Sequence, residues 1–174
     1  MSPVPAAIGL GGNVGDSAAV LTAAAAAIES LAHTLPLARS RLHVTPAWGL
    51  EAQADFVNAV VVVETALPPL ELLAQLLSIE RAAGRDRAAP GPRWGPRVLD
   101  LDLLLYGDAV IDVPGLQVPH PHLHARAFAL VPLLEAWPDA GIPGIGPARD
   151  ALARIPAVDV RALPYAPWRA TRLS

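Results

Sequence analysis

Two aspartates separated by a single residue, Asp100 and Asp102, lie inside the apolar run VLDLDLLLY of residues 98–106. The run is typical of a β-strand, whose two-residue period puts both carboxylates on one face, roughly 7 Å apart. Two like charges in apolar surroundings are costly unless a cation faces them. The pattern therefore predicts a divalent cation site, for which Mg²⁺ is best suited because it prefers hard oxygen ligands and often joins carboxylates to phosphates. Carboxylates exposed on an edge strand, or held by arginines, are the alternative.

Directly before this strand, residues 84–97 contain four arginines, three prolines and three glycines. This composition predicts a long charged loop and no regular element. A guanidinium group binds phosphate oxygens through two parallel hydrogen bonds and keeps its charge at any working pH. Loop and carboxylates together predict polyphosphate transfer, in which the guanidinium groups neutralise charge on the moving group. A solvated loop without a ligand is the alternative. The four arginines are Arg85, Arg87, Arg93 and Arg97.

A third group of residues combines aromatic rings with an amide. Trp48 follows a Thr-Pro pair, and Phe56 precedes Asn58 by two positions. Aromatic side chains beside an amide can enclose a flat heterocycle and recognise its hydrogen-bonding edge. Taken alone the signal is weak, because two such rings more often serve ordinary packing in the core or against a hairpin.

Two further motifs carry weaker signals. His120, His122 and His124 alternate in a stretch that can bind zinc, contact a phosphate or lie exposed in a loop. The glycine-rich residues 9–15 look superficially like a dinucleotide-binding loop, but Val14 stands where the third glycine belongs.

The elements that must position these residues follow a β-α-β-β-α-β order. Two strands joined without a crossover helix require an antiparallel sheet, so we expect an α+β sandwich with helices on one face. Beyond it we expect a short edge strand at 110–113, a helix near 125–137 broken or restarted at Pro132, and a wrapped or frayed tail. The predicted strands are 5–10, 37–45, 56–65 and 98–106, and the predicted helices are about 17–32 and 69–82.

Composition excludes several classes of protein. A chain of 174 residues without an evident linker predicts one domain. There is no Cys, so disulfides and thiolate chemistry are excluded. The 13 basic residues, all Arg, and 16 acidic ones leave a net charge of −3, which argues against binding to nucleic acid or a membrane surface. The longest low-polarity run, 17–28, is shorter than the roughly 20 residues of a membrane span. No positively charged leader precedes it, so we expect a cytoplasmic protein.

The segment RWGPRVLDLD, residues 93–102, resembles the signature of the 6-hydroxymethyl-7,8-dihydropterin pyrophosphokinases of folate biosynthesis. The likeness continues in order from about residue 6 to residue 138. Its further matches are Gly11-x-Asn13, Thr45-Pro46, Phe56-Val57-Asn58, Glu80-x-x-x-Gly84-Arg85-x-Arg87, Val118-Pro119-His120-Pro121 and Arg126-x-Phe128-x-Leu130-x-Pro132-Leu133.

The resemblance implies a ferredoxin-like βαββαβ fold, a mainly antiparallel sheet with packed helices and long mobile loops. It implies a single domain over 1–174, with a core at about 6–138 and a Pro-rich extension at 139–174. The implied reaction moves the pyrophosphoryl group of ATP to the pterin hydroxyl and releases AMP. We expect two Mg²⁺ ions, no dedicated general base, and a monomer, although a dimer is possible. A non-catalytic ligand- or RNA-binding module on the same skeleton is the alternative.

The resemblance also implies a role for each matching residue. Asp100 and Asp102 would bind the metal, and with Arg85 and Arg97 they would be catalytic. The implied ATP-binding residues are Glu80, Arg85, Arg87, Trp94, Arg97, His120 and Arg126. The implied pterin-binding residues are Thr45, Pro46, Trp48, Phe56, Asn58 and Phe128. The chain departs from the family pattern at Gly12, where Ser is common, at Phe56, where Tyr is frequent, at Leu77, where Gln is often found, and in a longer stretch at 88–92.

Overall fold

The computed structural model describes residues 2–46, 54–84 and 97–174. The first seven elements of this part of the chain follow the predicted order with one strand divided. They are β1 Val4–Gly12, α1 Ser17–Glu29, β2 Thr34–Arg39, β3 Leu42–Thr45, β4 Phe56–Thr65, α2 Pro69–Ala82 and β5 Asp100–Tyr106.

The elements that follow β5 are β6 Ile111–Val113, β7 Leu116–Val118, α3 Ala127–Ala136, β8 Gly141–Ile142, β9 Gly146–Pro147, α4 Ala148–Ala153 and β10 Arg161–Leu163. A three-residue 3₁₀ turn at Leu123–Ala125 precedes α3. No helix in the described ranges combines the length and apolarity needed to cross a bilayer.

The main sheet has the order β10-β3-β4-β1-β5, and β2 also pairs with β4. Every pairing in it is antiparallel. Its spine is the β1–β4 pair, which runs in register from Val4 opposite Thr65 to Gly12 opposite Val57. The predicted α+β class with a mainly antiparallel sheet is therefore confirmed.

Both faces of the sheet are covered. Val61 and Val63 of β4 pack in one cluster with Leu21 of α1 and with Leu72 of α2. Val60 and the residue two positions after it face the opposite side of the sheet. They belong to a second cluster, which also contains the apolar side chains of α3. The expectation of helices on one face alone is therefore wrong, because β4 is apolar on both sides and needs a layer on each.

Some predicted boundaries also differ. The strand expected at 37–45 begins earlier, at Thr34, and divides at Ser40, whose hydroxyl accepts a hydrogen bond from the Val60 N–H. Helix α3 passes through Pro132 without a break, contrary to the prediction. Pro132 is buried with Leu130 and Leu133, and this packing offsets the backbone hydrogen bond that a proline cannot donate.

The C-terminal tail is wrapped on the sheet. Strand β10 pairs with β3, from Arg161 opposite Val44 to Leu163 opposite Leu42. Trp168 is buried, and its Nε1 donates to the Ser40 carbonyl at 2.7 Å. The tail therefore covers the outer edge of β3, a strand that would otherwise expose unpaired backbone groups.

Candidate active site

A cavity of about 310 Å³ opens at the end of the sheet where β4 begins and β5 begins. Gly9 and Gly11 of β1 lie on its floor, opposite Asp102 and Asp100 in the strand register. A Cβ on Gly11 would lie 2.8 Å from Asn58 Oδ1, so a glycine here is what leaves room for that amide. The predicted first strand ends too early, because these glycines continue β1 to Gly12 and are not part of a turn.

Within the described part of the chain, the charged end of the cavity is formed by Arg97, Asp100, Asp102 and His120. Both carboxylates face the cavity, as the strand period predicts, and Arg97 Nε lies 3.9 Å from Asp100 Oδ2. Within the described residues no group of three or more metal-ligating side chains occurs. A cation held by the two aspartates would therefore complete its shell with phosphate or water oxygens, which is the usual behaviour of Mg²⁺.

His120 carries its proton on Nε2. Its Nδ1 accepts a hydrogen bond from the His122 N–H at 3.2 Å, so that nitrogen holds no proton. Burial, with the charges of Arg126 and His122, lowers the pKa of His120 to about 4. At neutral pH the imidazole is therefore an uncharged donor. The other two histidines of the alternating motif are exposed and do not line the cavity.

Among the residues that the structure describes, Thr45, Phe56, Asn58 and Phe128 form the aromatic end of the cavity. Asn58 is 8% exposed, and its Nδ2 donates to Thr45 Oγ1 at 3.0 Å. The β3–β4 register supports this contact by placing Thr45 opposite Phe56. Phe56 and Phe128 are partly exposed rings, so they are not core residues.

Arg126 lies between the two ends. Its guanidinium carbon is 5.6 Å from the Phe128 ring centroid, within the range of a cation–π contact, and its charge acts on His120.

Two predicted site residues lie elsewhere. Glu80 of α2 is 1% exposed and accepts a hydrogen bond from the Leu101 N–H at 2.6 Å. It does not line the cavity, and its bond to Leu101 supports the strand between the two aspartates. Pro46 follows β3 but is not a lining residue.

The remaining predicted site residues lie outside the described part of the chain; they are Trp48, Arg85, Arg87, Arg93 and Trp94.

A second cavity, of about 840 Å³, adjoins the first and shares Asp102 and His120 with it. Its walls are mostly apolar and include Leu73, Leu77 and Leu116. Except for the departure noted at Leu77, sequence reasoning missed these residues, because a leucine on an amphipathic helix has the same signal whether it faces the core or a ligand.

The cavity combines carboxylates and guanidinium groups with a pocket that fits a flat ring. This combination is typical of enzymes that transfer a phosphate-containing group to a heterocyclic acceptor. The fold and the cavity define this class. The model of the 7,8-dihydro-6-hydroxymethylpterin-pyrophosphokinase family matches residues 7–138, about three quarters of the chain. The chain belongs to this family.

Relatives agree over nearly the whole length. The 2-amino-4-hydroxy-6-hydroxymethyldihydropteridine pyrophosphokinase of Pseudomonas aeruginosa is 41% identical over 159 residues, which are 91% of this chain and 96% of the relative. The protein of the same name from Methylorubrum extorquens is 46% identical over 151 residues, 85% of this chain and 91% of the relative.

Solved structures show the same fold at low identity. A crystal structure of Plasmodium falciparum HPPK-DHPS with pteroate superimposes with a TM-score of 0.66 at 14% identity and covers 88% of this chain. The chain spans only 42% of that longer protein, so this likeness concerns the fold of the shared part.

Proposed function

We propose that this chain transfers the pyrophosphoryl group of ATP to the hydroxyl of 6-hydroxymethyl-7,8-dihydropterin, giving AMP and the pterin diphosphate. The family uses ATP as co-substrate and needs Mg²⁺. The observation that carries the proposal is the position of Asp102, which lines both cavities together with His120. A triphosphate held there would connect a nucleotide in one cavity with an acceptor in the other.

The donor set at the charged end fits magnesium. Asp100 and Asp102 offer hard carboxylate oxygens from one strand face, and the chain has no Cys that would favour a softer metal. From the family resemblance we infer that these two carboxylates would together hold two ions. When bound, Mg²⁺ neutralises phosphate charge and activates the acceptor hydroxyl.

The acceptor ring would lie at the aromatic end. Phe56 and Phe128 would contact the two faces of the pterin, and Asn58 would read its edge. Since Asn58 Nδ2 is already bonded to Thr45, the amide oxygen is the atom that would accept a hydrogen bond from the N–H groups of the ring. Trp48 and Pro46 complete the pterin site that we propose from the family resemblance.

The nucleotide would place its base in the second cavity, against Leu73 and Leu77, and its phosphates at the charged end. His120 would donate from Nε2 to a phosphate oxygen, and Arg97 would stabilise charge on the transferring group. Arg126 would support the same ligand. We propose the remaining ATP contacts at Arg85, Arg87 and Trp94 from the resemblance. Glu80 would act through β5.

No general base is needed in this scheme. The Nδ1 of His120 already accepts a backbone hydrogen bond and its Nε2 holds the proton, so it is a donor. Arg97 and the metal-binding carboxylates would fix the phosphates next to an acceptor bound at the aromatic end, and this proximity would supply the rate enhancement.

We also propose that residues 1–174 form one domain in which 139–174 is an integral part. The pairing of β10 with β3 and the burial of Trp168 support this. A cytoplasmic monomer remains the prediction of the sequence.

The nucleotide product tests the proposed function. With ATP, Mg²⁺ and the hydroxymethyldihydropterin, we expect one AMP for each pterin diphosphate and none without the pterin. Release of ADP would contradict pyrophosphoryl transfer. No observation favours the alternative of an RNA-binding module, since the sheet face it would use carries two aspartates and lies beneath α3.

A further inference from the structure

Asn13 connects three segments of the chain that are far apart in sequence. It follows β1 and is 6% exposed. Its side-chain Oδ1 accepts from the Arg97 N–H at 2.8 Å, and its Nδ2 donates to the Ala54 carbonyl at 2.9 Å. The backbone N–H groups of Asn13 and Val14 both donate to the Arg97 carbonyl, at 2.8 and 3.2 Å.

These bonds hold the backbone of Arg97 on both its polar groups. The N–H is bound by a side chain and the carbonyl by two amides of the same turn. Ala54, the other partner, lies two residues before Phe56, where β4 begins. The Asn13 side chain therefore links the backbone of Arg97, at the charged end of the cavity, to the start of β4, which carries residues of the aromatic end.

Only an amide suits this position. It must donate at one end and accept at the other, which a carboxylate, a hydroxyl of shorter reach or an apolar side chain cannot do at once. Gly12 makes the approach possible, because a Cβ there would lie 2.5 Å from the Val98 carbonyl oxygen. Gly12, which stands where Ser is common in the family, therefore lies at a close contact between β1 and residues 97–98.

We propose that Asn13 is a positioning residue, which sets the place of Arg97 opposite Asp100 and couples it to the pterin side of the site. The inference rests on the role proposed for Arg97. A displacement of about 1 Å of a group that acts in the transition state can lower a rate by about 100-fold. Loss of Asn13 therefore reduces turnover even though its side chain touches neither substrate in this scheme.

The test is a double-mutant cycle of Asn13→Ala and Arg97→Ala. For Asn13→Ala we expect kcat to fall by about 10- to 100-fold. We expect binding of a non-hydrolysable ATP analogue to weaken less than about threefold. The double variant is expected to be no slower than Arg97→Ala alone, because Asn13 acts through that arginine.

Asp16→Ala is the matched control. Asp16 lies in the same turn, and its carboxylate accepts from the Ala19 N–H at 3.2 Å as the N-cap of α1. Its loss lowers the melting temperature, as loss of a cap does, without touching residues 54 or 97. We expect kcat of this variant to stay within about twofold of the wild type.

Asn13→Asp separates the two arms. Asp keeps an acceptor for the Arg97 N–H but loses the donor to the Ala54 carbonyl, so we expect KM for the pterin to rise more than kcat falls. This variant also decides the question if Asn13→Ala does not fold.

Two results would overturn the inference. One is a kcat of Asn13→Ala equal to that of Asp16→Ala. The other is a fall in kcat of the double variant that equals the product of the falls in the two single variants. An equal effect of Asn13→Asp on every kinetic constant would remove the coupling to the pterin side. By contrast, ADP as the wild-type product, or normal turnover of Arg97→Ala, would contradict the proposed function itself.

Discussion

The two ends of the main cavity are held together by different forces. At the aromatic end, uncharged groups on neighbouring strands bond to one another, as Asn58 does to Thr45, and the sheet register keeps them in place. At the charged end, Asp100 and Asp102 repel each other from one strand face while Arg97 approaches from the side. The aromatic end is thus preformed by neutral hydrogen bonds, whereas the charged end is suited to a ligand that brings both cations and anions.

This contrast predicts that single changes at the charged end abolish the reaction, while changes at the aromatic end weaken binding of one substrate. The largest effect is expected for Asp100→Asn. The neutral amide keeps the shape but binds Mg²⁺ poorly, so turnover is expected to fall by at least about 100-fold. The change also removes a charge repulsion, so the protein is expected to keep its melting temperature.

Asp108→Asn is the control, since Asp108 is exposed in the turn after β5. Steady-state turnover across a Mg²⁺ titration and thermal unfolding of both variants check the prediction. Near-normal turnover of Asp100→Asn at any Mg²⁺ concentration would remove the metal assignment.

Arg97→Ala is expected to have the next largest effect. The guanidinium lies 3.9 Å from Asp100 and would be used mainly as charge moves in the transition state. We expect kcat to fall by about 100-fold and the Kd of ATP to rise much less. If only the Kd of ATP changed, Arg97 would serve to bind the nucleotide and not to stabilise the transition state. The charged end would then act in substrate binding, as the aromatic end does.

Thr45→Val tests the aromatic end. The substitution keeps the shape but removes the hydroxyl that accepts from Asn58 Nδ2. A lost neutral hydrogen bond in a binding site is worth about 1 kcal/mol, so we expect KM for the pterin to rise by about three- to tenfold. The kcat and the KM for ATP should stay unchanged. A large fall in kcat instead would show that the aromatic end orients the reacting hydroxyl as well.

The smallest effect concerns pH. Because the pKa of His120 is lowered to about 4 in the folded protein, the unfolded chain binds this proton first as the pH falls. The contribution of a neutral His120 to stability is therefore complete above about pH 6.5 and is lost as the pH falls from there towards 4. We expect His120→Gln to flatten the melting temperature over this range.

The carboxyl of Glu135 contributes to the pH dependence of stability over a lower pH range than His120 does. Burial alone would raise the pKa of Glu135, but hydrogen bonds from Arg41 and the charges of His43 and Arg41 outweigh it and hold that pKa below its usual value. Its stabilising effect is lost only as the pH falls below about 4.5.

The prediction for His120 is checked by the melting temperature of the His120→Gln variant. If its melting temperature still falls between pH 6.5 and 5 as in the wild type, the neutral state of His120 is contradicted.

Local patterns in the sequence account for much of the fold. Strand β4 and helix α2 have the predicted bounds, because the valine run and the proline at the helix start are signals contained within each element. The shared face of Asp100 and Asp102 follows from the strand period in the same way. The resemblance between residues 93–102 and the family signature identified the enzyme, which the family match confirms.

Other features depend on chain segments that meet only in the folded protein. Glu80 has the signal of a charged helix residue, yet it lies buried beneath Leu101. The proton of His120 is placed by the backbone of His122 and by burial. Strand β10 has no strong pattern of its own and forms because the edge of β3 is available to pair with it.

The sequence by itself determined which groups could do chemistry and which elements carry them, since residue type and local period act within a few residues. Only the tertiary structure decided which of those groups face the same cavity, which one is buried as support, and how Asn13 joins residues 54 and 97. Such contacts arise between distant segments, and their formation depends on the packing of the whole sheet and its two layers of helices.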